Sequence, residues 1–434
     1  MTSARNMREP GRAVKPVLSV LLVASLVSGV FPVAAAWPPW AGDDSEVGRE
    51  SSVTIEWLLE HARDDDVVPV DVRDRAEYEA GHLPGARHLD LDPAAWRDGP
   101  ALFSRIGLSG SERIVFYGGD ALSERAALAF WTAEFSGAER AAVLDGGFGV
   151  WTTAGGETST AQVDASPTAW VTAARRDRFA SRAYVALSFG VRGREIVDAR
   201  GRPRWDGEPG SPRSGHVPHS LPLSPQEFLE NGALMSPEAS RAMLSRFGPR
   251  PSSPVDLSWE FIVHGESMGD GALLYYLFRR TGLERVRLYA GGWVEWAEDA
   301  GLPVVRIIGA RELRERLARE RRWFAPDSPP PGFAFFDVRH GSDHARAHIP
   351  GSVNLTSRLF ADSLEPYLER YWPGLDRGTA PILTYCYGPD CIRSRATSTE
   401  AARLGFLVVE RLYEGLEGWR AIGGPIVGDE KPSE

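Results

Sequence analysis

Cysteine is nearly absent: the 434 residues hold two, Cys386 and Cys391. That excludes a disulfide-built scaffold, which would carry many more. Lysine is as scarce, with Lys15 and Lys431 alone. Any cation needed at a site must therefore come from arginine, histidine or a helix N-terminus. Excess positive charge is also missing. The formal charge of −10 argues against a nucleic-acid partner, because phosphate binding needs a basic face. No run of like charges is long enough for an interaction tail. What remains is ordinary globular material, 43% hydrophobic and 25% charged, with a length that suits two to four domains. Two thiols five positions apart in so cysteine-poor a chain suggest chemistry rather than architecture.

The first 36 residues read differently. Arg5, Arg8, Arg12 and Lys15 precede an apolar stretch from Val17 to Val33, which ends in Ala34-Ala35-Ala36. These are the marks of a secretory signal peptide with cleavage near Ala36. The competing reading is a retained anchor, for which the stretch is short and interrupted by Ser25, Ser28, Gly29 and Pro32. Removing residues 1–36 leaves 45 basic against 58 acidic groups, a charge of −13. The expectation is an exported, periplasmic or secreted acidic protein, with no stable membrane insertion once the signal is cleaved.

The rest is one pattern written three times. The first copy has Asp71-Val72-Arg73 after an apolar run, then Gly81-His82-Leu83-Pro84. The second has Asp198-Ala199-Arg200 and Gly215-His216-Val217-Pro218. The third has Asp337-Val338-Arg339 and Ala347-His348-Ile349-Pro350. Each closes on glycine and tryptophan: Gly146-Gly147 with Trp151, Gly291-Gly292 with Trp293 and Trp296, Gly415 with Trp419. Measured from the Asp to Gly146, Gly291 and Gly415, the copies span 75, 93 and 78 residues. Between these marks, apolar runs (Arg113–Tyr117, Phe261–His264, Pro381–Tyr385) precede segments of helical period (Ala126–Glu134, Ala272–Arg280, Ala396–Leu404). Short buried strands alternating with helices predict an α/β fold, a parallel sheet in each copy with helices on both faces. The domains are expected at 50–162, 181–304 and 305–428, with Pro326–Pro331 a loop.

Asp-x-Arg after an early strand, the Gly-His-x-Pro turn and a terminal Gly-Gly-x-x-x-Trp, repeated in order, resemble the rhodanese family over nearly all of the chain beyond residue 36. The resemblance implies three tandem rhodanese-like domains. Asp337, Arg339 and their counterparts are expected to lock loops rather than to react. In that family a nucleophilic cysteine follows the central strand at the head of a loop entering a helix. Backbone N–H groups and the helix dipole there favour an anion, so a thiol ionises and can attack sulfur. The first copy offers Gly118-Gly119-Asp120 at this place, and the second either Gly265 or Glu266; neither carries a thiol. Only the third, Cys386-Tyr387-Gly388-Pro389-Asp390-Cys391-Ile392-Arg393-Ser394-Arg395, has one. The first two copies are expected to be inactive.

That third loop departs from the family. Rhodaneses commonly have Cys-x4-Arg, and phosphatases of the same fold Cys-x5-Arg, whereas six residues separate Cys386 from Arg393. It is similar to a subgroup with the Cys-x-Gly-Pro-x-Cys signature found in some exported members. The resemblance implies a sulfurtransferase, thiosulfate sulfurtransferase-like, in which Cys386 carries a persulfide. Tyr387, Gly388, Arg393, Ser394 and Arg395 are the expected substrate-binding residues, with Arg393 favoured over Arg395. The partners would be a small anionic sulfur donor and a thiol, cyanide or protein acceptor, with no cofactor. Cys391 is either a resolving thiol or a small buried hydrophobe. A metal site lacks ligands at suitable spacing, His348 belonging to the repeated turn. Three other functions stay open: a Cys386/Cys391 dithiol–disulfide redox protein, a non-catalytic anion- or protein-binding module, and a phosphatase.

Overall fold

The parallel strands follow from burial. Runs such as Val67–Asp71 and Ala334–Asp337 are buried at every position, as strands covered on both faces must be. The computed structural model describes residues 51–249, 254–319, 328–389 and 391–428. The expected signal peptide and Asp390 lie outside the described residues. Among those described are three five-stranded parallel sheets and one two-stranded hairpin. The first sheet runs, in spatial order, Ser52–Val53, Arg140–Leu144, Arg113–Tyr117, Val67–Asp71, Arg87–His88. The second runs Phe179–Ala180, Val286–Tyr289, Glu260–His264, Arg194–Asp198, Leu221–Pro222. The third runs Val304–Ile308, Val408–Leu412, Ile382–Tyr385, Ala334–Asp337, Val353–Asn354. The order is the same each time, so the sequence repeat is a structural repeat of an α/β module.

The helices after the central strands are Glu124–Phe135, Met268–Arg280 and Ile392–Arg403. Each begins earlier than its apolar periodicity suggests, and in the first two a serine side chain caps the start. The N-cap positions are Ser123, Ser267 and Cys391; the Ser123 hydroxyl accepts from the Ala126 N–H.

Register corrects one sequence alignment. Phe148, Trp293 and Leu416 donate their N–H to the carbonyls of Gly118, Gly265 and Cys386. The equivalent closing glycines are therefore Gly147, Gly292 and Gly415, and Gly146 and Gly291 stand one residue early. All three have left-handed φ (+63°, +60° and +59°). A Cβ on Gly415 would lie 2.6 Å from the Cys386 carbonyl oxygen, so only glycine lets the closing turn touch this loop. Four residues on, Trp151, Trp296 and Trp419 donate to the carbonyls of Glu157, Pro303 and Pro425.

Modules one and two are fused. Their facing helices, Glu124–Phe135 and Met268–Arg280, are buried almost throughout and join one hydrophobic core, whereas module three keeps its own. Across the first junction Arg279 pairs with Glu134 at 3.1 Å, and Tyr275 donates to the same carboxylate at 2.6 Å. Burial alone would raise the Glu134 carboxyl, but Arg279 and Arg178 outweigh it and hold it below its usual value. Across the second junction the contacts are more polar: Arg395 to Glu195 at 2.8 Å, and the Arg202 guanidinium over the Tyr413 ring.

Candidate active site

Three copies of one lock frame the site. Arg73, Arg200 and Arg339 each grip the carboxylate two residues earlier through Nε and Nη2. Each also donates from Nη2 to a carbonyl just before the His-x-Pro turn, that of Gly81, Gly215 or Ala347. The turn histidines are held alike. His82, His216 and His348 stack on Tyr78, Trp205 and His344, with centroids 3.9, 3.6 and 3.8 Å apart. Each Nδ1 meets the carbonyl of its stacking partner at 2.8 Å. Every turn is also bridged to the segment after its closing helix: His82 with Ser159, His216 with Val305, His348 with Val427. Two loops and a chain end are thus tied together beside the central strand, which is a positioning task. In module three His344 and Tyr385 add hydrogen bonds to Asp337. Burial opposes ionisation of Asp337, yet His344 and Arg339 keep its carboxyl below the ordinary range.

The strand pairing also shows which positions in modules one and two correspond to Cys386. Asp71, Asp198 and Asp337 stand opposite Tyr117, His264 and Tyr385, so the next residues, Gly118, Gly265 and Cys386, are equivalent. Gly265, not Glu266, takes the cysteine's place in module two. Neither glycine has room for a side chain. A Cβ on Gly118 would run into Ser123, and one on Gly265 into Asp270.

In module three Cys386 is buried and bonded to Cys391, with S–S 2.06 Å and Cα–Cα 6.2 Å. The loop between them is pinned by the Cys391 N–H on the Gly388 carbonyl and the Glu417 N–H on the Tyr387 carbonyl. Beside it lies a cavity of about 190 Å³ lined by Arg339, Asp343, Arg346, Tyr387, Glu417 and Arg420, among others. Modules one and two cover the same arginine with an aromatic ring. Phe148 lies 3.7 Å from the Arg73 guanidinium carbon and Trp293 4.2 Å from that of Arg200. The equivalent residue in module three is Leu416, and the Tyr387 ring centroid lies 5.5 Å from the Arg339 guanidinium carbon. In module two Glu266 also sets its carboxylate 3.6 Å from both Arg200 and Arg204.

The expected site residues divide into two groups. Tyr387 lines the cavity, donating to Asp343 at 2.5 Å, and burial with that carboxylate raises its phenol above the ordinary value. Gly388 packs beside Glu417, whose carboxylate lies where a Cβ would project. Arg393 is exposed, its guanidinium carbon 5.7 Å from the Tyr387 ring. Ser394 and Arg395 turn away from the cavity. Ser394 is buried and accepts from Arg411 Nε at 2.9 Å, while Arg395 crosses to Glu195 and the His219 carbonyl. Sequence reasoning missed Asp343, Arg346, Glu417 and Arg420. Leu416 and Glu417 were within its reach, because they align with Phe148 and Trp293 and their successors. Among the described residues no cluster of three or more His, Cys, Asp or Glu could hold a metal, and no helix is long and apolar enough to cross a membrane.

A family model for the rhodanese-like domain matches this chain three times, at residues 54–154, 185–299 and 320–422. A sulfur carrier protein, TtuD of Thermus thermophilus, is 26% identical over 284 residues, covering 59% of this chain and 97% of that protein. The 3-mercaptopyruvate sulfurtransferase of Escherichia coli is 24% identical over 278 residues, covering 58% of this chain and 96% of the enzyme. The thiosulfate sulfurtransferase of Corynebacterium glutamicum is 28% identical over 302 residues, covering 63% and 96%. Each match has the length of about two of the three modules. With three family matches on three copies of one sheet, the chain belongs to the rhodanese family, as a tandem of three rhodanese-like domains.

Proposed function

We propose that the chain is a sulfurtransferase whose chemistry resides in module three. The observation that carries this is the thiol itself: of three equivalent positions, only Cys386 has one, at a strand-to-helix loop beside an arginine-lined cavity. Sulfurtransferases and a sulfur carrier among its relatives support the same reading. Reduced Cys386, as thiolate, bonds the outer sulfur of a small anionic donor such as thiosulfate. The donor's S–S bond breaks, sulfite leaves, and a persulfide remains on Cys386. Arg346, Arg393 and Arg420 supply cations for the donor. A thiol, cyanide or a carrier protein then removes the sulfur. Export by the N-terminal segment belongs to the same proposal, and N-terminal sequencing of the protein recovered outside the cytoplasm checks it.

Intact-protein mass spectrometry of the reduced chain, before and after thiosulfate, is the direct test. In samples quenched early, and in Cys391→Ser, the expected result is a gain of one sulfur, lost with cyanide and absent in Cys386→Ser. Failure of both the fully reduced protein and Cys391→Ser to gain sulfur at any time from thiosulfate, 3-mercaptopyruvate or polysulfide would sink the reading. The disulfide favours a second one, a dithiol–disulfide redox protein, which exchanges disulfides and never gains sulfur.

A further inference from the structure

A persulfide on Cys386 has a second thiol within reach. Cys391 caps the helix Ile392–Arg403, and its Sγ meets the Sγ of Cys386 itself. Module one shows that this approach belongs to the loop and not to the bond. There the loop from Gly118 to Ser123 has the same length, and the N-cap Ser123 side chain occupies the space into which a Cβ on Gly118 would project. Two loops of unrelated sequence thus bring the cap residue against the nucleophile position. In module three both residues are sulfur.

The surroundings favour a negative charge on Cys391. It stands at the N-terminus of a twelve-residue helix, where the dipole favours an anion. The Ser394 hydroxyl, one turn on, donates weakly to the Cys391 carbonyl at 3.5 Å and accepts from Arg411. Arg411 is buried and has no carboxylate within salt-bridge distance among the described residues. Burial and the neighbouring Arg395 push it down to about 10, so it is still a cation at neutral pH.

We propose that Cys391 is a second catalytic thiol that discharges the Cys386 persulfide as hydrogen sulfide. This rests on the sulfurtransferase reading and names its first acceptor. The Cys391 thiolate attacks the inner sulfur, Cys386 Sγ, because that is the atom it reaches. The Cys386 Sγ–Cys391 Sγ bond forms, the bond to the outer sulfur breaks, and the protonated outer sulfur leaves as HS⁻. The outer sulfur takes up the two electrons that the thiols lose on becoming a disulfide, so no external oxidant enters. A dithiol reductant then reopens the disulfide and readies Cys386 for the next donor. The disulfide-bonded structure is the state after sulfide departure.

The test uses the full chain, reduced and freed of reductant, mixed with one equivalent of thiosulfate or, separately, inorganic polysulfide. Samples are acid-quenched over time for intact mass, free-thiol count and sulfide. The wild type is expected to pass through a persulfide and end as the disulfide, with about one sulfide released per chain. Cys391→Ser is expected to load and then keep its persulfide until an external thiol is added. A wild type that holds its persulfide beside a free Cys391, or a Cys391→Ser chain that releases sulfide as fast as the wild type, overturns the proposal and leaves sulfur transfer standing. A chain that takes sulfur from neither donor overturns both.

Discussion

Modules one and three share strand order, aspartate–arginine lock, turn histidine and tryptophan anchor, and differ in what surrounds the position after the central strand. Where module three has Cys386, module one has Gly118, with Ser123 packed over it. Where module three has Leu416, module one lays Phe148 on the lock arginine. Module two closes differently, with Trp293 over Arg200 and the Glu266 carboxylate beside the same guanidinium. The scaffold that positions Cys386 in module three therefore persists without a thiol in modules one and two, because the lock and the anchors also hold the fold together. The space above that position is filled in both, by Ser123 in module one and by Cys391 in module three. Modules one and two differ from module three in sharing one core across their facing helices.

The largest effect should come from breaking that fusion. In Glu134→Gln the buried Arg279 loses its carboxylate partner within the first junction, and Glu284 at its other edge is half exposed. Breaking a buried pair costs about 3 kcal/mol or more. Thermal unfolding is expected to show an earlier transition for modules one and two, with sulfur loading by module three retained below it. The deficit should also narrow in acid. The Glu134 carboxyl is depressed in the folded protein, so its contribution is complete above the unfolded-state value of about 4.3 and fades as pH falls through the lower folded value.

A smaller effect is expected on restoring the missing thiol to module one. Gly118→Cys forces a side chain into Ser123 and should cost about 1–3 kcal/mol, as overpacking does. In a Cys386→Ser background it should not load sulfur, because Phe148 still covers the lock arginine. Loading there, read by intact mass, would show that the thiol alone separates an active module from an inactive one.

The smallest effect concerns the residue opposite the lock aspartate. Tyr117 and Tyr385 each accept a turn N–H, from Leu83 and Ile349, at 3.1 Å. Module two has His264 instead, buried, with Nε2 lacking a hydrogen bond. Burial pushes its imidazole below the ordinary value, and Asp198 only partly offsets that. The unfolded chain therefore binds the proton first, and stability falls as pH drops below about 6.5. His264→Tyr should add about 1 kcal/mol through the recovered hydrogen bond and remove that part of the acid sensitivity. Denaturant midpoints at pH 7.5 and 5.5 measure both.

Much of this architecture is legible in the residues themselves. Asp-x-Arg and His-x-Pro recur because a buried carboxylate and a tight turn accept few substitutes, so they stand out in a repeat. The positions of Tyr387 and Gly388 beside the cavity follow from their adjacency to Cys386. Ser394 and Arg395 show the limit of such reasoning. They follow the loop in sequence, but a helix turns each successive residue by about 100°, so one goes under the helix and the other toward module two. The choice between Gly265 and Glu266 needed strand register, since the two loops differ in length and a lone glycine has no chemistry by which to align it.

Residue order alone specifies the module, its three copies, the α/β class and the single copy bearing a thiol, because periodicity and turn chemistry are local properties. Which surfaces fuse, which loops are closed and which arginines face the thiol's cavity were settled by tertiary packing. Those outcomes depend on contacts between residues far apart in the chain. An aromatic at 148, a carboxylate at 266 and a leucine at 416 have no visible consequence until the fold lays them over the same place.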